Sequence, residues 1–108
     1  MNRSRAMFFA TSILWLATTA ALAQEYPVKP IVIVVPAAAG GPTDTLTRVL
    51  AAAMSEPLKQ TVLIDNTGGA GGTIGINKAA KARADGYTLL LYHVGMATSP
   101  ALYRKLPY

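Results

Sequence analysis

The sequence contains no cysteine, so no disulfide can staple the fold, a device on which small exported domains commonly depend. Aromatic residues are nearly as scarce. Phe8, Phe9 and Trp15 all fall within the first 23 residues, and five tyrosines are the only aromatics after them. The single histidine, His93, has no cysteine, second histidine or paired carboxylate at ligand spacing, which excludes a metal centre. Five acidic residues include no two spaced as a general acid and base, and Ser99 has no recognisable base to activate it. The sequence is therefore read as non-enzymatic. The basic residues form no run longer than Arg104-Lys105, which leaves nucleic-acid binding without its electrostatic footprint. A core limited to Val, Ile, Leu and Ala is thin for a chain without disulfides, so these residues are expected to belong to something larger. The ending Leu106-Pro107-Tyr108 reads as a cut in mid-fold.

What is present begins with an export signal over residues 1–23. Arg3 and Arg5 form a positive n-region, Ala6 to Leu16 an uncharged apolar h-region, and Ala21-Leu22-Ala23 a small-x-small cleavage site, with cleavage predicted after Ala23. Thr11, Ser12, Thr18 and Thr19 interrupt the apolar stretch, and Gln24 and Glu25 follow at once, which disfavours a retained membrane anchor. Without Arg3 and Arg5, eight basic residues face five acidic ones, lowering the net charge from +5 to +3.

Residues 24–108 alternate strand and helix. Ile31 to Val35 is a continuous β-branched run between Pro30 and Pro36, as suits a strand buried on both faces of a parallel sheet. A helix is expected from Thr43 to Glu56, capped by Thr43 or Asp44 and ended by Pro57, with Leu46, Val49, Leu50, Ala53 and Met54 at helical spacing. Thr61 to Asp65 is the second strand, Thr73 to Arg83 the second helix with Lys78 and Lys81 on a solvated flank, and Tyr87 to Tyr92 the third strand after an Asp85-Gly86 turn. Ser99-Pro100 reads as an N-cap and first helical position opening a short helix through Arg104. This order predicts an α/β fold, the first segment of a doubly wound parallel-sheet lobe with right-handed crossovers. In such sheets ligands lie outside the carboxyl ends of the strands.

Two glycine-rich turns sit at those ends. The first runs Ala39-Gly40-Gly41-Pro42-Thr43-Asp44 and the second Gly69-Ala70-Gly71-Gly72-Thr73-Ile74-Gly75. A glycine turn that opens a helix leaves unpaired N–H groups at the positive end of the helix dipole, and two side by side make an anion site from main chain alone. The alternative reading is of ordinary strand-to-helix turns in which glycine supplies positive φ and Thr43 or Asp44 only caps. Asp44 reads as a cap rather than a catalytic acid. The second turn has Ile74 where a dinucleotide fingerprint needs glycine, and Gly75 is followed by Ile76 where a phosphate loop needs lysine. His93 sits where the third strand ends, either as a donor to a ligand anion or as a structural loop residue, with the structural role favoured.

Tyr26-Pro27-x-Lys29-Pro30-Ile31, Val35-Pro36, the two glycine turns, Asp85-Gly86-Tyr87-Thr88-Leu89-Leu90 and Pro100-Ala101-Leu102-Tyr103-Arg104-Lys105-Leu106-Pro107-Tyr108 together resemble the start of a Bug-type receptor. Such receptors are the periplasmic solute-binding components of tripartite tricarboxylate transporters. The resemblance implies the first part of a two-lobed, Venus-flytrap binding protein, monomeric at full length, with the second lobe absent. It would capture a small carboxylated solute and deliver it to the membrane components of the transporter, without a cofactor. Carried over from the family, the ligand-binding positions are Ala39, Gly40, Gly41, Thr43 and Asp44 in the first turn and Ala70, Gly71, Gly72 and Thr73 in the second. The loop from His93 to Thr98 would complete the pocket. The chain departs from the family's pattern at Ala37, where an aromatic is usual, and at Thr67-Gly68, where Arg-Pro is usual. Two other readings are a truncated, non-functional remnant of such a receptor and the nucleotide-binding half of an α/β enzyme.

Overall fold

A β-branched run with no polar face can only be buried from both sides, and it therefore seeks the middle of a sheet. The computed structural model describes residues 25–108; the export segment and its cleavage site after Ala23 lie outside the described residues. Strand β1 spans Ile31–Val35, with Ile31, Ile33, Val34 and Val35 at most 2% exposed. It is the centre of a three-stranded sheet, flanked by β2 (Val62–Asn66) and β3 (Thr88–Leu90) in the order β2-β1-β3. Both pairings are parallel, with Ile31 opposite Val62 and Val32 opposite Thr88. β3 is shorter than the expected 87–92. Single bonds extend its ladder: Tyr87 accepts from the Val32 N–H at 2.9 Å, and the Leu91 N–H donates to Val34 at 3.0 Å.

Helix α1 (Pro42–Leu58) joins β1 to β2, and α2 (Thr73–Ala80) carries the chain from β2 across β1 to β3. The direction of winding reverses at β1, and right-handed crossovers then place the two helices on opposite faces. Ile33, Val35, Val62 and Ala51 form the core on the α1 side, with Met54 and Ile64 packed against them. Ile76 of α2, 1% exposed, is buried where that helix meets β1. A third helix, α3 (Gly95–Leu102), follows β3. The expected α/β architecture with a parallel, doubly wound start is what the chain forms.

Several boundaries differ from the sequence expectations, each for a local reason. α1 begins at Pro42, whose missing N–H would have been unpaired anyway, with Gly41 as an extended N-cap and no side-chain cap, so Thr43 and Asp44 lie inside the helix. Pro57 does not end it. In the last turn proline deletes only one bond, and the helix closes at Lys59, at φ 50°, whose N–H donates to Glu56 at 3.2 Å. The buried stripe of α1 is Asp44, Thr47 and Ala51, while Leu46, Val49 and Leu50 are 61%, 65% and 40% exposed. Small side chains at 47 and 51 let the helix seat closely on the sheet, and this turns the bulkier apolar stripe outward. α2 stops at Ala80 rather than Arg83, with the Lys81 N–H on Asn77 at 3.0 Å and the Ala82 N–H on Ala79 at 3.2 Å. Ser99 does not start α3. It is buried in mid-helix with its hydroxyl donating to Gly95 at 2.6 Å, and Pro100 follows it inside the helix.

Candidate functional site

All three strands point the same way, so the segments 36–41, 67–72 and 91–94 share the carboxyl edge of the sheet. The first two are stitched together. The Thr67 N–H donates to the Val35 carbonyl at 2.9 Å, and the Asn66 amide donates to the Ala37 carbonyl at 3.5 Å. Gly75 makes this approach feasible: a Cβ there would run into the Thr67 carbonyl and stand 3.0 Å from Pro36. The two glycine turns thus lie side by side.

In the first turn, Asp44 organises the loop from within. Its carboxylate is 1% exposed and accepts from the Gly40 N–H at 2.7 Å, from Arg48 Nε at 2.9 Å and from the Asn66 amide at 3.1 Å. The third helical residue thus reaches back past the N-cap, a relative of the capping box. The Gly40 N–H, the Arg48 guanidinium and the Asn66 amide, in that order, outweigh desolvation and hold Asp44 below the usual carboxylate range. The Gly40 N–H is thus engaged by Asp44, and the Gly41 N–H by Ala38 at 3.3 Å. The N–H groups of Ala39, Thr43 and Asp44 donate to no other described residue.

The second turn is left-handed. Gly69, Ala70, Gly71 and Gly72 have φ of 107°, 47°, 64° and 90° in succession, a run that glycine makes accessible and that Ala70 joins at some cost. The Gly72 N–H closes on Gly69 at 2.9 Å, and Thr73, buried, turns its hydroxyl onto Ala70 at 2.9 Å. Ala70 and Gly71 are exposed, and their N–H groups also donate to no other described residue. Asp65, at the end of β2, pairs with Lys78 of α2 and accepts from the Thr67 hydroxyl at 2.7 Å. These two contacts, the lysine first, lower its pKa. Lys78 is thus a tie between α2 and β2 rather than a purely solvated flank.

His93 follows Tyr92, whose hydroxyl reaches the second turn at Gly71. Its imidazole lies tilted against Tyr92 with centroids 4.1 Å apart, and Nδ1 accepts from the Gly95 N–H at 3.0 Å at the start of α3. Among the described residues no hydrogen bond joins it to the first turn. Sequence reasoning missed Arg48, Asn66, Tyr92 and Tyr103. The Asp44/Arg48 spacing of four residues in one helix was the only local sign of the first two. A cleft of about 370 Å³ lies at the opposite edge of the sheet, between Tyr26, Lys29, Arg83, Asp85 and Tyr87. Its walls are engaged with each other, through the Lys29–Asp85 pair at 3.5 Å and Lys29 standing 4.3 Å over the Tyr87 ring.

Comparison with known proteins places this geometry in context. Residues 46–108 match the tripartite tricarboxylate transporter family receptor, TctC. The UPF0065 protein in the TAR-I ttuE-ttuC′ intergenic region of Agrobacterium vitis is 52% identical over 99 residues, 92% of this chain and 28% of that protein. The solved structure of the periplasmic binding protein BugD superposes with a TM-score of 0.75 at 52% identity, over 77% of this chain and 28% of that one. MatC from Rhodopseudomonas palustris, solved with bound malate, superposes with a TM-score of 0.73 at 44% identity, over 77% of this chain and 29% of that one. The chain therefore spans less than a third of the length of each of these relatives.

Proposed function

The chain belongs to the tripartite tricarboxylate transporter receptor family, and we propose that it supplies the part of a periplasmic solute receptor that grips a carboxylate by main-chain N–H groups. The observation that carries this reading is the pairing of two glycine turns at one sheet edge, each with uncommitted donors: Ala39, Thr43 and Asp44 in the first, Ala70 and Gly71 in the second. Neutral N–H dipoles at helix starts stabilise an anion without a counter-charge, and they release it without breaking an ion pair. The malate bound by MatC is a ligand of matching chemistry. Export through the leader ending at Ala23 would bring the chain to the periplasm, and the membrane components of a tripartite transporter would take the solute onward.

From this portion alone contact is one-sided, and affinity is expected to be about millimolar or weaker. Titration with malate followed by amide chemical shifts tests the reading. Saturable shifts at Ala39, Thr43, Asp44 and Gly71 are expected, and they should be absent with the uncharged diamide of malate. Shifts scattered over the Lys29–Tyr87 edge, or none, would overturn it.

A further inference from the structure

The second turn is held by two tyrosines to which the sequence reading gave no role at the site. The Tyr103 hydroxyl donates to the Ala70 carbonyl at 3.3 Å, and the Tyr92 hydroxyl donates to the Gly71 carbonyl at 3.1 Å. The rings press on the turn as well: a Cβ at Gly71 would collide with the Tyr103 hydroxyl, and one at Gly72 would lie 2.5 Å from that of Tyr92. In a trans peptide unit the C=O of one residue and the N–H of the next point in opposite directions. Tethering the Ala70 carbonyl to Tyr103 therefore turns the Gly71 N–H away from the tyrosine, and this is one of the donors without a partner. Tethering the Gly71 carbonyl to Tyr92 turns the Gly72 N–H inward, where it closes the turn on Gly69. The Ala70 carbonyl also accepts from the Thr73 N–H and, at 2.9 Å, from the Thr73 hydroxyl, so the tyrosines add to a closure within the turn; three of its four positive-φ residues are glycines that populate either sign of φ.

We propose that Tyr92 and Tyr103 are positioning residues that fix the peptide planes of the second turn, so that the Gly71 N–H is presented as an anion donor. The anion part of this inference rests on the carboxylate-receptor reading above; the peptide-plane part does not. The two hydroxyls come from separate segments, the loop after β3 and the residue after α3, so the turn is gripped from two independent supports. The same two residues explain why glycine stands at both 71 and 72.

The test uses Tyr92→Phe, Tyr103→Phe and the double substitution in the full chain, since phenylalanine keeps the packed rings and removes only the hydroxyls. In the double variant the Gly71 and Gly72 amide signals should move and their hydrogen exchange should accelerate, with the thermal midpoint little changed. Malate should bind roughly tenfold more weakly, on the scale of two ordinary hydrogen bonds. The malate-induced shift at Gly71 should shrink while those at Thr43 and Asp44 persist, a split that a general loss of structure would not produce. Unchanged Gly71 and Gly72 amides in the double variant would overturn the proposal, as would a loss of all malate shifts in proportion. Should the unsubstituted chain give no malate shifts, the receptor reading fails, and the amide signals and exchange rates alone decide whether the tyrosines set the peptide planes.

Discussion

Asp44 and Gly75 show how single residues set the geometry of the carboxyl edge. Gly75 is where α2 passes closest to the segments leaving β1 and β2, and any side chain there meets backbone rather than a flexible neighbour. Gly75→Ala is expected to cost about 1–3 kcal/mol by overpacking and to loosen the register between the two turns. Urea unfolding measures the first effect, and altered amide shifts at Thr67 and Ala37 report the second. The glycine itself was legible in the sequence, as part of a turn. Its reason was not, because a close approach between residues 36, 67 and 75 exists only after both crossovers have formed. Asp44 was legible as a residue of the helix start, but its partners Gly40, Arg48 and Asn66 come from three different elements.

The elements divide along the same line. Strand β1 was readable to the residue, because five consecutive apolar positions between prolines admit one solution. The orientation of α1 was not. Leu46, Val49 and Leu50 have the spacing of a core stripe, yet the sheet takes Thr47 and Ala51 instead. Periodicity reports that a helix has two faces, and it does not report which face its neighbour needs. Val49→Ser should accordingly change unfolding free energy by less than about 0.5 kcal/mol, whereas Ile33→Ala in β1 should cost about 2–5 kcal/mol. Comparable losses for the two in urea titrations would mean that the helix is seated the other way round. The start of α3 was hidden for a different reason. Ser99-Pro100 has the form of an initiation signal, while the helix starts four residues earlier, with Val94 as a cap that offers no side-chain acceptor and the Gly95 N–H donating to His93 Nδ1.

At the scale of the whole molecule, three aspartates carry the response to acid. Asp44 is lowered first by the Gly40 N–H, Asp65 first by Lys78, and Asp85 first by the Tyr87 N–H. A carboxylate whose pKa is lowered on folding contributes stability above its unfolded value, near pH 4, and that contribution fades as pH falls through the lowered folded value. Thermal midpoints should thus be level near neutral pH and decline on the acid side below about pH 4. Asp44→Asn should start lower at neutral pH and decline less steeply, and an acid limb parallel to that of the unsubstituted chain would refute the assignment. The strand order β2-β1-β3 has one more consequence, in the timing of synthesis. The central strand is made first, and both of its neighbours are made after it. Until residue 62 has emerged, the most apolar five residues of the described chain have no strand to pair with, and β3 can join only after a second crossover. A chain built in this order carries an open, sticky edge through much of its own production. It gains from being held unfolded until its length is delivered.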